Sequence, residues 1–330
     1  MRIKNLLTPE PADSRLTIGI PCRVDEPDVG GTLASLVEAC RVATLPRDLH
    51  IEIVLCINGW TEEGPCPPLV AARELSARLS ISCWQYDEAA RRPGGDDEPL
   101  VLTVLLSRRM GKAIAWNMIR QWSASQAIVF CDADVRVHLD AISALYAALH
   151  ASPTVRLVAS QQVPVVTATD SWPRRAAALP YRFYFHNVTG GLYIIRRDAL
   201  AGEMPEGLLF EDAWLTLTVG RQWIQQEPRA QVFFLPPATW RDWIAERTRT
   251  EAGKRQLHRS HPHLFAHGPA AKYPWRAFVR SLRLGDVPLV GLLLAVRMYT
   301  RLRAWWIFRE GRSQELWRVV GSSKQWKTPR

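Results

Sequence analysis

The chain has 330 residues, 47% of them hydrophobic, which suits one large domain or a domain with an appendage and excludes a largely disordered protein. The net charge of +10 is lopsided: residues 241–330 hold 19 Lys+Arg against 6 Asp+Glu, while residues 1–240 sum to −3. A basic C-terminal end with six of the 14 tryptophans points to an anionic partner such as a lipid surface, or to a solvated helical face.

Strand and helix signals alternate along the first 160 residues. "RLTIGIP" (15–21) reads as a buried strand stopped by Pro21, and "GGTLASLVEACRVA" follows with Leu33, Leu36, Val37 and Cys40 at helical spacing. "IEIVLCI" (51–57) is a second strand, halted at Asn58-Gly59. "GGDDEP" (94–99) is a loop, and "LVLTVLL" (100–106) is expected to be the third strand. After Gly111-Lys112 comes a helix with Ala115, Met118, Ile119 and Trp122 on its apolar face. "AIVFC" (127–131) is the fourth strand, and it runs straight into Asp132 and Asp134. A further helix carries Leu139, Ile142, Leu145 and Leu149. "VRLVASQQVPVV" (155–166), "GGLYIIRR" (190–197) and "QVFFLPP" (231–237) are later strands. Continuous apolar strands between amphipathic helices indicate an α/β fold, a mainly parallel sheet covered on both faces. In such sheets ligands bind beyond the carboxyl ends of the strands, where Asp132 and Asp134 lie.

After Pro237 the chain becomes helical, basic and tryptophan-rich, which sets an expected boundary near residue 240 between a catalytic domain (1–240) and a C-terminal region (241–330). The apolar run 287–296 has ten residues, short of the ~20 needed to span a bilayer. Behind it, Arg297, Arg301 and Arg303 interleave with Tyr299, Trp305 and Trp306, a pattern suited to the lipid headgroup zone or to docking on the catalytic domain. No nucleic-acid-binding module accompanies it. The six cysteines (22, 40, 56, 66, 83 and 131) form no CxxC pair and read as reduced packing residues. "MRIKNLL" lacks the apolar stretch of a signal peptide, so the expected setting is cytoplasmic, with a peripheral place on the inner face of the cytoplasmic membrane as the variant that the basic end suggests.

Two carboxylates one residue apart at a strand end can converge on one cation as the chain turns. Magnesium and manganese take oxygen ligands, typically one or two carboxylates with substrate phosphates and waters. An acidic turn without ligand is the alternative for the triplet alone. The order "IPCRVDEP…GGTLASL", "IVLCINGWTEE", "GKAIAWN", "VFCDADV", "GG" and "FEDAWLT" resembles glycosyltransferase family 2, whose members use the A-type nucleotide-diphospho-sugar fold. The resemblance covers roughly residues 15 to 255.

It implies a donor pocket built by Pro21, Cys22, Arg23, Glu26, Asn58, Gly59 and Thr61, with Gly111, Lys112 and Asn117 near the donor. Ile57 stands where many members have an aspartate that contacts the base, so the base stays open, a UDP-sugar being favoured. Asp132 is expected at ribose or metal and Asp134 at the metal, Mn2+ or Mg2+. Asp212 is the expected general base, with Glu211 its acidic neighbour, and a single displacement implies inversion at the anomeric carbon. Residues 189–191 would let acceptor backbone approach. Arg249 is matched to an arginine reaching the diphosphate, Arg247 being the fallback, and His258 to an additional metal ligand. The tryptophan that processive members keep after that arginine is Thr250 here, in favour of single-sugar transfer to a carbohydrate or lipid-linked acceptor. Two other readings stand beside this one: a sugar-phosphate nucleotidyltransferase, and a non-catalytic membrane-bound scaffold of the same fold.

Overall fold

The computed structural model describes residues 14–88, 98–182, 188, 190–200, 202–265, 275–310, 323, 324 and 326. The elements are β1 (Arg15–Arg23), α1 (Val29–Val42), β2 (His50–Asn58), α2 (Pro67–Leu79), β3 (Cys83–Asp87), β4 (Leu100–Ser107), α3 (Lys112–Trp122), β5 (Ala127–Cys131), β6 (Arg136–Val137), α4 (Ala141–His150), β7 (Leu157–Pro164), α5 (Trp172–Ala178), β8 (Leu192–Arg196), α6 (Glu211–Val219), β9 (Ile224–Phe234), α7 (Trp240–Ser260), α8 (Trp275–Ser281) and α9 (Val287–Arg309).

One nine-stranded sheet runs in the order β3-β4-β2-β1-β5-β8-β7-β9-β6. Its first five strands are parallel, whereas β8 runs antiparallel to both β5 and β7. The parallel half explains the unbroken apolar runs, because both of its faces are covered. In β2, Ile53, Leu55 and Ile57 enter the core under α1, α2 and α4, while Val54 and Cys56 enter the opposite core with Ala115, Trp116 and Ile119 of α3. Gly19 is the one break in the bulk of β1. A Cβ there would lie 2.3 Å from Ile119 Cγ2, so the missing side chain lets α3 rest directly on the strand.

Several elements differ from the sequence reading. The strand at 100–106 is fourth, because the short β3 precedes it; its Trp84 and Gln85 are exposed at the sheet's edge, so it shows no apolar run. α2 and α5 were not expected either. Leu139 precedes α4 and is exposed, whereas Ile142, Leu145 and Leu149 are buried as the spacing implies. β9 starts seven residues before the expected strand, and it carries Pro228 where its register with β7 shifts, since proline offers no N–H to the ladder. Part of the 94–99 loop lies outside the described residues. All six cysteines are free; Cys22, Cys40, Cys56 and Cys131 are buried and Cys66 and Cys83 half-buried.

Beyond residue 240, Trp243 of α7, Phe278 of α8 and Leu289 and Val296 of α9 pack with Ala176, Ala177 and Leu179 into a third core. α7 also reaches back: Leu257 joins the core under α3, and Gly253 lies where a Cβ would meet Phe210 Cβ at 2.5 Å. Among the described residues no helix is long and apolar enough to cross a membrane.

Gly19→Ala is expected to cost roughly 1–3 kcal/mol through overpacking. In urea unfolding, the double variant Gly19→Ala/Ile119→Ala should lose less than the sum of its two single variants, because the second change makes room for the first.

Candidate active site

The strands β1, β2 and β5 end on one edge of the sheet, and a cleft of about 940 Å³ opens there. Pro21, Asn58, Lys112, Asp132, Asp134 and Glu211 line it, all from strand ends or helix starts. Asn58 holds this edge together. Buried at the end of β2, it donates to the Cys22 carbonyl of β1 at 2.6 Å and accepts from the Gly111 N–H at 3.1 Å, just ahead of α3. Gly59 then turns the chain with φ +78, in the left-handed region that favours glycine.

Behind β5, Thr32 of α1 donates its hydroxyl to the carbonyls of Ala133 and Val135, both at 2.8 Å, so the turn carrying Asp132 and Asp134 is clamped from below. Arg136 leaves the same turn to meet Asp28 at 2.7 Å. The Asp132 N–H donates to the Gly191 carbonyl at 3.1 Å, which ties the antiparallel strand β8 to the paired aspartates.

The centre of the site is an ammonium among carboxylates. Lys112 Nζ lies 2.6 Å from Asp132 Oδ1. The Gly190 N–H donates to Asp212 Oδ2 at 3.0 Å. A Cβ on Gly190 would stand 2.8 Å from Asp212 Oδ1, 3.0 Å from Asp132 Oδ2 and 3.2 Å from Lys112 Nζ. These groups from three separate elements therefore border one small space, open only because residue 190 has no side chain. α6 is fixed against this loop by Thr216, whose hydroxyl donates to the Asp212 carbonyl at 2.7 Å and accepts from the Val188 N–H at 3.1 Å. Both acids sit in the first turn of α6, where negative charge is favoured.

Electrostatics follow from this crowding. Burial, reinforced by Asp132 and Glu211, pushes the Asp212 carboxyl up to about 6, although Lys112 and the Gly190 N–H pull the other way. Burial works against the charge on Lys112 too, but Asp132, Asp212 and Glu211 outweigh it and hold the ammonium above lysine's usual value. Asp134 is likewise pushed up to about 6 by burial and by Asp132. Burial keeps the Cys22 and Cys131 thiols far above the thiolate range, so sulfur offers no ligand here.

The expected site residues divide into two groups. Pro21, Arg23, Glu26, Asn58, Gly111, Lys112, Asp132, Asp134, Glu211 and Arg249 all line the cleft, and Asp212 borders it beside Lys112. Cys22 contributes its carbonyl to Asn58, and Arg23 turns its guanidinium to Asp25 at 2.8 Å. Gly59 shapes the turn, and Thr61 is exposed beyond the lining. The Asn117 amide both donates to and accepts from the Met204 backbone, so it braces the segment before α6, and it is not part of the cleft lining. Arg247 is 4.0 Å from Glu251 and does not line the cleft. His258 is exposed in the last turn of α7, with its ring 4.9 Å from Phe265, and stands apart from the lining. Thr189 lies outside the described residues. The sequence reading missed Gln162, Tyr181, Phe234 and Glu246, which line the far wall, and Lys324, which enters from the C-terminal end.

The donor set suits a hard divalent cation. Glu26 is buried and its Oε1 has no partner among the described residues, and the nearby Asp132 and Asp134 offer carboxylate oxygens. Among the described residues no three His, Cys, Asp or Glu side chains are grouped to hold a metal by themselves.

No protein-family model and no curated protein matches the chain. Among solved structures it is similar to a mannosyltransferase from Pyrobaculum calidifontis in complex with GDP-Man and Mn2+, at 18% identity over 93% of this chain and 86% of that one, with a TM-score of 0.54. It is also similar to a glucosyl-3-phosphoglycerate synthase from Mycobacterium tuberculosis in complex with Mg2+ and UDP, at 14% identity over 75% and 79% of the two chains, with a TM-score of 0.47. The first likeness establishes the fold, the A-type architecture of nucleotide-sugar transferases, in line with the expectation from the motifs.

Removing the central cation has a pH signature. Lys112→Met leaves Asp132 and Asp212 facing each other uncompensated, with an expected loss of about 1–3 kcal/mol near pH 7.5. Asp212, raised by burial and no longer opposed by the ammonium, takes up a proton more readily in the folded state than in the unfolded one, so the deficit should shrink toward pH 5.5. Thermal unfolding of both proteins across that range checks the sign.

Proposed function

We propose that the chain is an inverting, metal-dependent glycosyltransferase of the family 2 type, which moves a sugar from a nucleoside-diphosphate donor to an acceptor hydroxyl. The single observation that carries this reading is the convergence of Lys112, Asp132 and Asp212 on the space over Gly190. A binding pocket alone needs no titrating acid near neutrality; Asp212, lifted to about 6, is matched to proton transfer at physiological pH. The fold shared with a mannosyltransferase in complex with GDP-Man and Mn2+ supports a nucleotide-sugar as donor and a divalent ion beside it.

The roles follow from position. Asp212 takes the proton of the acceptor hydroxyl as that oxygen forms its bond to the anomeric carbon. The bond from the anomeric carbon to the diphosphate oxygen breaks, and its electron pair leaves with the diphosphate. One displacement by one base inverts the anomeric centre. Lys112 keeps Asp132 and Asp212 from repelling each other and holds positive charge beside the leaving group. Asp134, with Asp132, would hold the divalent ion, whose chemistry is to neutralise the departing diphosphate. Arg249 on α7 supplies a further cation to the cleft wall. The Gly190 N–H fixes one oxygen of Asp212 and so aims the other. Such a positioned base contributes typically about 10²–10⁴-fold.

The acceptor is proposed to be membrane-associated. α9 buries Leu289, Val296, Thr300 and Ala304 on one side and exposes Val287, Leu294, Met298, Leu302 and Trp305 on the opposite side, a stripe at helical spacing. Arg301 and Arg309 border that stripe and are exposed. An apolar strip edged by arginines fits an anionic bilayer surface, with the helix lying along it.

Asp212→Asn should abolish transfer while leaving Mn2+-dependent nucleoside-diphosphate binding within about threefold, by analogy with loss of an interaction made only in the transition state. In the parent enzyme kcat/KM should fall with decreasing pH below about 6, tenfold per unit, because Asp212 must be ionised to accept the proton. A thermal-shift panel of nucleoside diphosphates with and without Mn2+ identifies the base; no metal-dependent shift with any of them refutes the assignment. Flotation with vesicles containing phosphatidylglycerol should carry the protein at low salt, and the paired change Leu302→Ser/Trp305→Ser should release it; equal binding to neutral vesicles would contradict the arginine contribution.

A further inference from the structure

The cleft holds a second lysine that the reaction does not use. Lys324, far along the chain from the other lining residues, has its ammonium hydrogen-bonded to Glu26 Oε2 and 3.9 Å from Asp134 Oδ2. Its side chain is 15% exposed and that of Glu26 3%, so this pair is largely withdrawn from water. Glu26 Oε1 is buried without a partner among the described residues. Two residues on, the Trp326 indole N–H donates to the Asp134 carbonyl at 3.2 Å, and the Arg136 guanidinium lies 4.5 Å over the Trp326 ring. Arg136 is in turn held by Asp28. Lys324 and Trp326 thus grip Asp134 from its side chain and from its backbone.

We propose that this C-terminal segment is a built-in competitor: Lys324 occupies, on Asp134 and Glu26, the seat that a divalent cation with its nucleoside diphosphate requires, and it must vacate that seat when they bind. The inference rests on the reading of the cleft as a donor site. Its physical basis is the charge inventory of the cleft wall. Asp132 is paired with Lys112, whereas Lys324 sits at Glu26 and Asp134, so an ion that draws on Asp134 beside Asp132 meets the second ammonium directly. An ammonium satisfies these acids with hydrogen bonds and a single charge. A small divalent ion such as Mg2+ binds carboxylate oxygen at roughly 2.0–2.1 Å, and it cannot share the same oxygen face with an ammonium that it also repels. The exchange is reversible because the contacts of Lys324 and Trp326 among the described residues, ion pairs, an indole hydrogen bond and a ring–guanidinium contact, can all re-form. Trp326 supplies the anchor that keeps the lysine local, so the competitor is present at high effective concentration without a tight contact of its own.

The test uses the full-length chain and three variants: Lys324→Ala, Lys324→Arg and Trp326→Ala. Mn2+ binding is followed by electron paramagnetic resonance, first with the ion alone and then with nucleoside diphosphates. Lys324→Ala should bind Mn2+ on the order of tenfold more tightly, about 1.4 kcal/mol. Trp326→Ala removes no charge, so a shift in the same direction reports loss of the seated segment rather than a change of net charge. Lys324→Arg should stay near the parent. Unchanged Mn2+ affinity in Trp326→Ala overturns the proposal, as does failure of every variant to bind Mn2+. Weaker nucleoside-diphosphate binding by Lys324→Ala also overturns it, since the lysine would then be a donor contact. If no nucleoside diphosphate binds any variant, the donor-site reading fails, while the order of Mn2+ affinities still decides the role of the segment.

Discussion

An ammonium packed among carboxylates at the rim of a parallel sheet is the interaction on which this structure depends. Lys112, Asp132 and Asp212 come from α3, the turn after β5 and the start of α6, and none of them would tolerate partial burial alone. Together they balance charge closely enough to coexist, yet Asp212 is still lifted to about 6. That residual cost is the useful part. A carboxyl held at ordinary acidity would be too weak a base, and one fully compensated by lysine would have no reason to take a proton. In the proposed reaction the arrangement trades some folding stability for reactivity, in the manner expected of functional sites.

The sheet's topology makes that convergence possible. Parallel strands deliver their carboxyl ends to one edge, which brings Pro21, Asn58 and Asp132 to a common rim. The antiparallel β8 then enters from that same rim, so its leading residues, Gly190 and Gly191, meet the acids directly. A strand running the other way would have placed those glycines at the far edge. Gly253 and Gly19 act in the same way a layer further out, bringing α7 against the segment before α6 and α3 against β1. Close approach by glycine, at the rim and behind it, is how three elements are pressed together around a few ångströms of space.

Much of this was legible in the sequence, and the reason is local. The apolar run of β5 followed by Asp132 and Asp134, and the acidic first turn of α6, are signals written in consecutive residues. What stayed hidden depends on contacts between distant segments. Asn117 lies midway along the helix that begins at Lys112, but its amide is spent on Met204, a partner 87 residues away. His258 offered a plausible ligand type, yet α7 turns it outward in its last turn. β3 and β6 escaped because edge and two-residue strands need no apolar pattern. Lys324 sits in a basic stretch with no motif around it, and only the fold shows it against Glu26.

The helix that lines the cleft and the helix with the outward apolar stripe share a charged hinge, which connects the proposed surface to the proposed chemistry. Glu251 of α7, 9% exposed at its side chain, lies 2.8 Å from Lys254, 4.0 Å from Arg247 and 3.7 Å from Arg301 of α9. Arg249, two residues before it, faces the cleft. Arg301 borders the apolar stripe, so its charge is divided between Glu251 and whatever anionic surface the stripe meets. Engagement of Arg301 by a phosphate headgroup would weaken its hold on Glu251 and leave that carboxylate to the arginine and lysine of α7. Under the proposed membrane reading, the same guanidinium would meet the anionic surface and, through Glu251, steady the helix that carries Arg249.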